Sequence, residues 1–107
     1  MKMMERVTEL DVKTYDSFIA KGKVIVYFWA EWCGPCKFMG PIFKDVSAER
    51  KDIKFGKVDV DSESELAQRF HVMSIPTLIY FKDKEQVNRT VGAMSKEDFE
   101  AAIEESF

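Results

Sequence analysis

The sequence is poor in the residues that build metal centres and disulfide frameworks. Its 107 residues include two cysteines, Cys33 and Cys36, and one histidine, whereas a structural zinc or iron–sulfur site usually takes about four such ligands. A bridge between the two cysteines would close a very short loop and remove little chain entropy from the unfolded state. Stabilisation of the fold by a disulfide is therefore a poor explanation of the pair, and metal binding or redox chemistry remains as its function.

Long apolar runs and blocks of one charge are also missing. The longest apolar run, Val24 to Ala30, is far too short to span a bilayer. The net charge of −3 comes from acidic and basic residues mixed along the chain, so neither nucleic acid nor a membrane is expected as a partner. The first ten residues, MKMMERVTEL, are charged and contain no apolar segment. They do not resemble a signal peptide, and a cytoplasmic location is expected.

The chain shows no repeat, low-complexity tract or linker, so we expect a single domain over residues 1–107 with one modest core. The apolar, β-branched segment VIVYFWA (24–30) predicts a central strand buried on both faces. From Cys33 onward, Met39, Phe43 and Val46 fall at helical spacing. Further strands are predicted at 53–60, 77–81 and 86–91, and further helices at 61–70 and 95–107.

Residues 6–22 predict a short strand and then a helix ending at Gly22. Asp61 is the expected N-cap of the 61–70 helix, and Ser95 that of the last helix. A hairpin turn is expected at Asp83 and Lys84, since aspartate tolerates a positive φ. The order β-α-β-α-β-α-β-β-α predicts an α/β fold. Its central mixed sheet is mostly parallel, has one antiparallel edge and carries helices on both faces.

This architecture places the two cysteines where the central strand turns into a helix, at the edge where open α/β sheets carry their sites. Cys33 falls at the helix N-terminus, where free amides and the helix dipole favour a thiolate. Cys36 lies one turn further in, and we expect it to be more buried and more often protonated. Gly34 allows the tight turn, Pro35 stiffens it, and Trp32 offers a flat apolar shoulder beside the nucleophile.

Three segments together resemble the thioredoxin family. They are WAEWCGPCK at 29–37, IPT at 75–77 and VGA at 91–93, in the family's order and spacing, and the resemblance extends over essentially the whole chain. It implies the thioredoxin fold and a thiol–disulfide oxidoreductase that reduces disulfides in target proteins. Cys33 would attack the target disulfide and Cys36 would resolve the mixed disulfide, leaving a Cys33–Cys36 bridge. It also implies a monomer with no cofactor beyond that bridge, recycled by a thioredoxin reductase.

The resemblance assigns further site residues. Pro76 corresponds to the family's cis-proline, and the main chain at Ile75 would pair with an extended target segment. The remaining positions that match the family's docking groove, beside Trp32, are Val60, Ser74, Val91 and Gly92.

One position departs from the family. Tyr27 stands where thioredoxins usually carry a buried aspartate that accepts the proton of the resolving thiol, while the accompanying Lys57 is retained. A phenol with a pKa near 10 accepts a proton poorly at neutral pH. Water, Asp59 and Glu31 are the substitutes to consider.

Two other classes of function stay open at this stage. The cysteines could be half of a metal or iron–sulfur site completed across a dimer, which metal content and visible absorbance would reveal. The chain could instead be a docking module whose thiols are incidental, which would then reduce no disulfide. The single histidine, His71, follows a predicted helix and is given no catalytic role.

Overall fold

The structure is a computed structural model that describes residues 6–107. Its strands are β1 (Val7–Glu9), β2 (Lys23–Trp29), β3 (Ile53–Asp59), β4 (Thr77–Lys82) and β5 (Glu85–Val91). Its helices are α1 (Tyr15–Ile19), α2 (Gly34–Glu49), α3 (Ser64–Arg69) and α4 (Lys96–Ser106). The order of the elements is the one that the sequence predicts.

The five strands form one mixed sheet in the order β1-β3-β2-β4-β5. Strands β1 and β2 each pair with β3 in parallel, whereas β4 pairs with both β2 and β5 in antiparallel fashion. The strand that runs against the others is thus β4, one position in from the edge. The sequence predicts an antiparallel edge from the hairpin but cannot show that β4 pairs with β2 as well.

The central strand β2 is buried on both faces, as its apolar run predicts. Ile25 and Tyr27 belong to one core cluster, whereas Val24, Val26 and Phe28 belong to the other. Alternate residues of a strand point to opposite faces, so β2 supplies both halves of the core. The first cluster is completed from α2 and α4, by Met39, Phe43, Phe99 and Ile103. The second receives Ile19 from α1 and Leu66 from α3, which gives helices on both faces.

Two helix boundaries differ from the sequence prediction. Helix α1 ends at Ile19, and Gly22 lies in the following turn with φ +76°. Helix α3 begins at Ser64 with Glu63 at its N-cap, and no side chain caps it. Asp61 is therefore not the helix cap, because its carboxylate is bonded to another partner, described below.

The other two local predictions are confirmed. The hydroxyl of Ser95 accepts a hydrogen bond from the main-chain nitrogen of Asp98 at 3.1 Å and caps α4. The β4–β5 hairpin turns at Asp83 and Lys84, whose φ values are +50° and +77°. Within residues 6–107, no helix combines the length and the apolar character needed to cross a membrane.

Candidate active site

The two cysteines lie where β2 ends and α2 begins. Cys33 is the N-cap residue of α2, and its Sγ accepts a hydrogen bond from the main-chain nitrogen of Cys36 at 3.2 Å. Gly34 and Pro35 are the first helical residues, where the missing N–H of proline leaves no helix bond unmade. The sulfur of Cys33 therefore lies at the end of α2 where unpaired amides favour negative charge.

Cys33 and Cys36 are joined by a disulfide, with their Cα atoms 5.2 Å apart. The two residues are 3% and 4% exposed respectively. The expectation that Cys36 is the more buried is therefore wrong for this bridged state. The bridge closes the first turn of α2, so both side chains share one environment within the same core cluster.

Trp32 stands beside the cysteines with 68% of its surface exposed. Its indole nitrogen donates a hydrogen bond to Oδ2 of Asp61 at 2.8 Å. The carboxylate of Asp61 therefore bonds to Trp32 and not to the amides at the start of α3, where the sequence predicts it. Asp59 in turn accepts a hydrogen bond from the main-chain nitrogen of Asp61 at 2.9 Å through its Oδ1. The loop after β3 thus orients the exposed indole.

An apolar surface runs from Trp32 to the loop before β4. It surrounds a shallow cavity of about 360 Å³ and consists of Trp32, Val60, Val72, Met73, Ser74 and Ile75. Four predicted site residues, namely Trp32, Val60, Ser74 and Ile75, are therefore brought together. Met73 is a member of this surface that the sequence did not indicate, and the residue is 92% exposed. Its only sequence signal is its place just before the Ser74–Thr77 segment.

The Ile75–Pro76 peptide bond is cis, and Pro76 is buried. The carbonyl oxygen of Pro76 accepts a hydrogen bond from the main-chain nitrogen of Gly92 at 2.8 Å. Val91, which pairs in register with Thr77, is 60% exposed. The predicted residues Val91 and Gly92 thus adjoin Pro76 through the end of the β4–β5 ladder.

Tyr27 lies beneath the cysteine pair and is hydrogen-bonded to the main chain of Cys36. Its hydroxyl donates a hydrogen bond to the carbonyl oxygen of Cys36 at 2.9 Å. The ring packs on Phe43, with the ring centroids 5.1 Å apart. Burial raises the pKa of the Tyr27 phenol to about 12. A group that donates its proton to a carbonyl and has such a pKa is protonated across the neutral range.

Lys57 is paired with a residue that the sequence analysis did not consider. Its Nζ lies 3.7 Å from Oε1 of Glu9 and 5.3 Å from the centroid of the Trp29 ring. Glu9 and Lys57 are directly opposite each other in the β1–β3 pairing. The indole nitrogen of Trp29 is buried and has no hydrogen-bond partner among the residues that the structure describes.

Two cavities flank Lys57 and Trp29. The first, of about 330 Å³, is lined by Cys36, Tyr27 and Glu31 as well. The second, of about 310 Å³, is lined by four carboxylate residues, namely Glu9, Asp11, Asp59 and Glu63. The two sequence candidates for a proton acceptor, Glu31 and Asp59, therefore lie in different cavities, and only that of Glu31 reaches Cys36.

Within residues 6–107, no group of three or more histidine, cysteine, aspartate or glutamate side chains is arranged to hold a metal ion. What the geometry does offer is a dithiol–disulfide couple at a helix N-terminus, beside an exposed tryptophan and a cis-proline loop. This fold and this couple define the class of thiol–disulfide oxidoreductases built on a thioredoxin fold.

Comparison with known proteins agrees with that class. The thioredoxin family model matches residues 6–105. The chain is 48% identical to the thioredoxin of Chlamydia pneumoniae over 85 residues, covering 79% of this chain and 83% of that protein. It is 46% identical to the thioredoxin of Mycobacterium bovis over 92 residues, covering 85% of this chain and 78% of that protein. The crystal structure of Malassezia sympodialis thioredoxin superposes with a TM-score of 0.88 at 31% identity, covering 99% and 96% of the two chains.

The chain therefore belongs to the thioredoxin family, and it is a thiol–disulfide oxidoreductase with Cys33 and Cys36 as its redox pair. Membership implies a thioredoxin reductase and target proteins in general as partners.

Proposed function

We propose that this thioredoxin works as a reductant of protein disulfides, with Cys33 as the attacking thiol and Cys36 as the resolving thiol. This assignment rests on the position of Cys33 at the N-cap of α2, where its sulfur accepts a hydrogen bond from the main-chain nitrogen of Cys36. That amide and the helix dipole stabilise a thiolate on Cys33, and the thiolate is the nucleophile in disulfide exchange. The main chain of Gly34 and Pro35 holds this turn.

The exchange balances in two steps. The Cys33 thiolate attacks one sulfur of the target disulfide, so the target's S–S bond breaks and its other sulfur leaves as a thiolate. Cys36 then loses its proton and attacks the sulfur of Cys33, which forms the Cys33–Cys36 bridge and releases the second target sulfur. The target gains two electrons and two protons, and the protein becomes the bridged form. A thioredoxin reductase would restore the dithiol.

The target is an extended protein segment that carries the disulfide. We propose that it lies on the apolar surface next to Trp32 and pairs with the main chain at Ile75, in the manner of an added strand. Val60 and Ser74 line the same shallow cavity, and the main-chain nitrogen of Gly92, next to Val91, donates a hydrogen bond to the carbonyl oxygen of Pro76. Pro76 shapes this loop and would shield the thiols.

The proton of Cys36 needs an acceptor other than Tyr27. Tyr27 donates its own proton to the Cys36 carbonyl, Lys57 is paired with Glu9, and Asp59 lines the other cavity. Glu31 is the one carboxylate among the described residues that line the cavity beside Cys36. We propose that water in this cavity passes the proton to the side chain of Glu31, which acts as the base.

The acceptor is tested by stopped-flow oxidation of the reduced protein with a model disulfide between about pH 5 and 9, followed by tryptophan fluorescence. Glu31→Gln should slow resolution at neutral pH and make the rate depend on buffer concentration. Asp59→Asn is the matched control and should change neither. If the pH dependence of the resolution rate is unchanged in Glu31→Gln, solvent water accepts the proton directly. Tyr27→Asp should speed resolution only in the Glu31→Gln background, because only there is an acceptor lacking.

The protein is further proposed to be a single thioredoxin domain that works as a monomer in the cytoplasm without nucleic acid or membrane partners. The match of the family model to residues 6–105 supports one domain. Two cysteines that cycle between dithiol and disulfide suit a reducing compartment, where a permanent structural bridge would not persist.

The deciding experiment is the reduction of insulin disulfides, driven by dithiothreitol or by a thioredoxin reductase with its electron donor. The wild-type protein should accelerate insulin precipitation, and Cys33→Ser should abolish the effect. Absence of any reduction would favour a docking module with incidental thiols. Metal in the freshly purified protein, together with visible absorbance, would favour a shared metal site.

A further inference from the structure

We propose that Met73 is a site of reversible oxidation to methionine sulfoxide, and that this modification weakens the docking of protein targets. The idea deepens the proposed function, because it rests on the apolar surface being where targets dock. Met73 belongs to that surface together with Trp32, Val60 and Ile75.

Met73 is set apart from the other described methionines by its exposure. Met73 is 92% exposed, whereas Met39 is 0% exposed in the core and Met94 packs against the core cluster as a partly buried residue. Oxidation of methionine follows the access of the oxidant to the thioether. Hydrogen peroxide and organic hydroperoxides, the oxidants proposed here, should therefore attack Met73 well before Met39 and Met94.

The bridged state of the cysteines makes this selectivity sharper. Cys33 and Cys36 are tied in a disulfide and are 3% and 4% exposed. A disulfide has no thiolate to react with peroxide, so Met73 is the most exposed residue with a reduced sulfur within residues 6–107. The state of the protein that accumulates under oxidation is thus the state in which Met73 is the reactive sulfur.

Oxidation of the Met73 thioether needs no reactant other than the peroxide, which is the two-electron oxidant. The thioether sulfur attacks one peroxide oxygen, the O–O bond breaks, and an S–O bond forms as the sulfur loses two electrons. The proton of the attacked oxygen passes to the other oxygen, which leaves as water from hydrogen peroxide or as an alcohol from an organic hydroperoxide. The sulfoxide can be returned to the thioether by methionine sulfoxide reductases, so the change is reversible.

The physical consequence falls on docking. A thioether is flexible, polarizable and apolar, and suits a surface that must fit many side chains. The sulfoxide is polar, and covering it with an apolar target group would strip it of water without a compensating hydrogen bond. A target that buries Met73 should therefore bind more weakly, whereas a small disulfide that reaches only Cys33 should react as before.

The test begins with the bridged protein treated with hydrogen peroxide, with oxygen uptake at each methionine followed by peptide mass spectrometry. Met73 should be oxidised at least about tenfold faster than Met39 or Met94. After the peroxide is removed, insulin reduction should show a raised KM and a kcat/KM lowered severalfold. Reduction of a small aromatic disulfide should be unchanged.

Two variants at the same position keep the test sharp. Met73→Leu keeps an apolar side chain that peroxide does not oxidise, so its insulin reduction should survive the treatment. Met73→Gln is polar throughout, so its untreated form should resemble the oxidised wild type. Equal oxidation rates at Met73 and Met94, or an unchanged kcat/KM for insulin after oxidation of Met73, would overturn the proposal. Failure of the untreated wild type to reduce insulin would instead overturn the proposed function.

Discussion

The hydroxyl of Tyr27 donates a hydrogen bond to the carbonyl oxygen of Cys36, across 2.9 Å in the interior of the protein. At the position where the family resemblance implies a buried carboxylate, this chain has a neutral donor that links the central strand to the first turn of α2. The bond holds the main chain of Cys36, the proposed resolving cysteine, without placing a charge beneath it. We therefore propose that Tyr27 is a positioning residue and that other groups move the proton.

The first prediction concerns this hydrogen bond. Tyr27→Phe should lower the free energy of unfolding of the bridged protein by about 1 kcal/mol, because a buried carbonyl loses its donor while the ring contacts remain. Urea denaturation measures this change. Tyr80→Phe is the matched control, since Tyr80 is also buried and bonds to Thr90 Oγ1 at 3.1 Å, on β5. Both variants should lose stability, but only Tyr27→Phe should alter the resolution rate. Equal resolution rates would contradict the positioning role.

The second prediction concerns alkaline pH. Burial raises the pKa of both Tyr27 and Tyr80 to about 12, against 10.0 for an ordinary tyrosine. Between these values the unfolded chain releases protons that the folded protein retains, so the free energy of unfolding should fall as the pH rises from 10 to 12. Denaturation at a series of pH values measures the slope. The Tyr27→Phe, Tyr80→Phe double variant should have a flatter profile, and an identical slope would contradict the assignment.

The third prediction concerns the division of labour between the thiols. After reduction, limiting iodoacetamide at neutral pH should modify Cys33 much faster than Cys36, because the helix N-terminus stabilises the Cys33 thiolate. Peptide mass spectrometry measures both rates. Cys36→Ser should trap a stable mixed disulfide with a target, since the resolving thiol is absent. Preferential alkylation of Cys36, or trapping by Cys33→Ser instead, would reverse the roles.

The fourth prediction concerns Arg89, which ties β5 to the loop before the cis-proline. Its guanidinium donates to the carbonyl oxygen of His71 at 3.1 Å and also to that of Phe70. Arg89→Ala should cost about 1–3 kcal/mol of unfolding free energy, because two carbonyl groups at the end of α3 lose a charged donor. It should also speed amide hydrogen exchange in residues 70–74, which a general loss of stability would not confine to that loop.

Two comparisons delimit the Arg89 effect. Arg89→Lys keeps the charge but not the planar fork that serves two carbonyl groups, so it should recover only part of the loss. Lys82→Ala, at an exposed position on β4, should leave both measurements within error. Full recovery by Arg89→Lys would show that charge alone matters.

Much of the fold could be predicted because its signals are local. The apolar run of β2 could be satisfied only by burial on both faces, and Ser95 lies three residues before the amide that it caps. Asp83 and Lys84 both have positive φ values, which the short connection between β4 and β5 requires. Aspartate tolerates this backbone conformation better than most residues. In each case the residues that determine the structure are neighbours in the chain.

The features that escaped prediction depend on partners far apart in the chain. Asp61 is a residue type that often caps helices, yet its carboxylate accepts a hydrogen bond from the indole of Trp32, which is 29 residues away in the chain. Glu9 meets Lys57 only because β1 and β3 are paired in a particular register. The exposure of Met73 depends on how the loop before β4 lies beside Trp32 and Val60, which are distant in the chain, so no local pattern indicates it.

The two edges of the sheet have a consequence for how the protein avoids aggregation. An uncovered edge is a template on which foreign strands can add and seed aggregates. One edge here is β1, of only three residues, Val7–Glu9. The other is β5, whose pairing is irregular at Tyr80 and Phe81 and whose residues include Glu85 and Arg89. Both edges therefore offer a poor template for strand addition along the sheet, and we expect the folded protein to resist edge-to-edge aggregation.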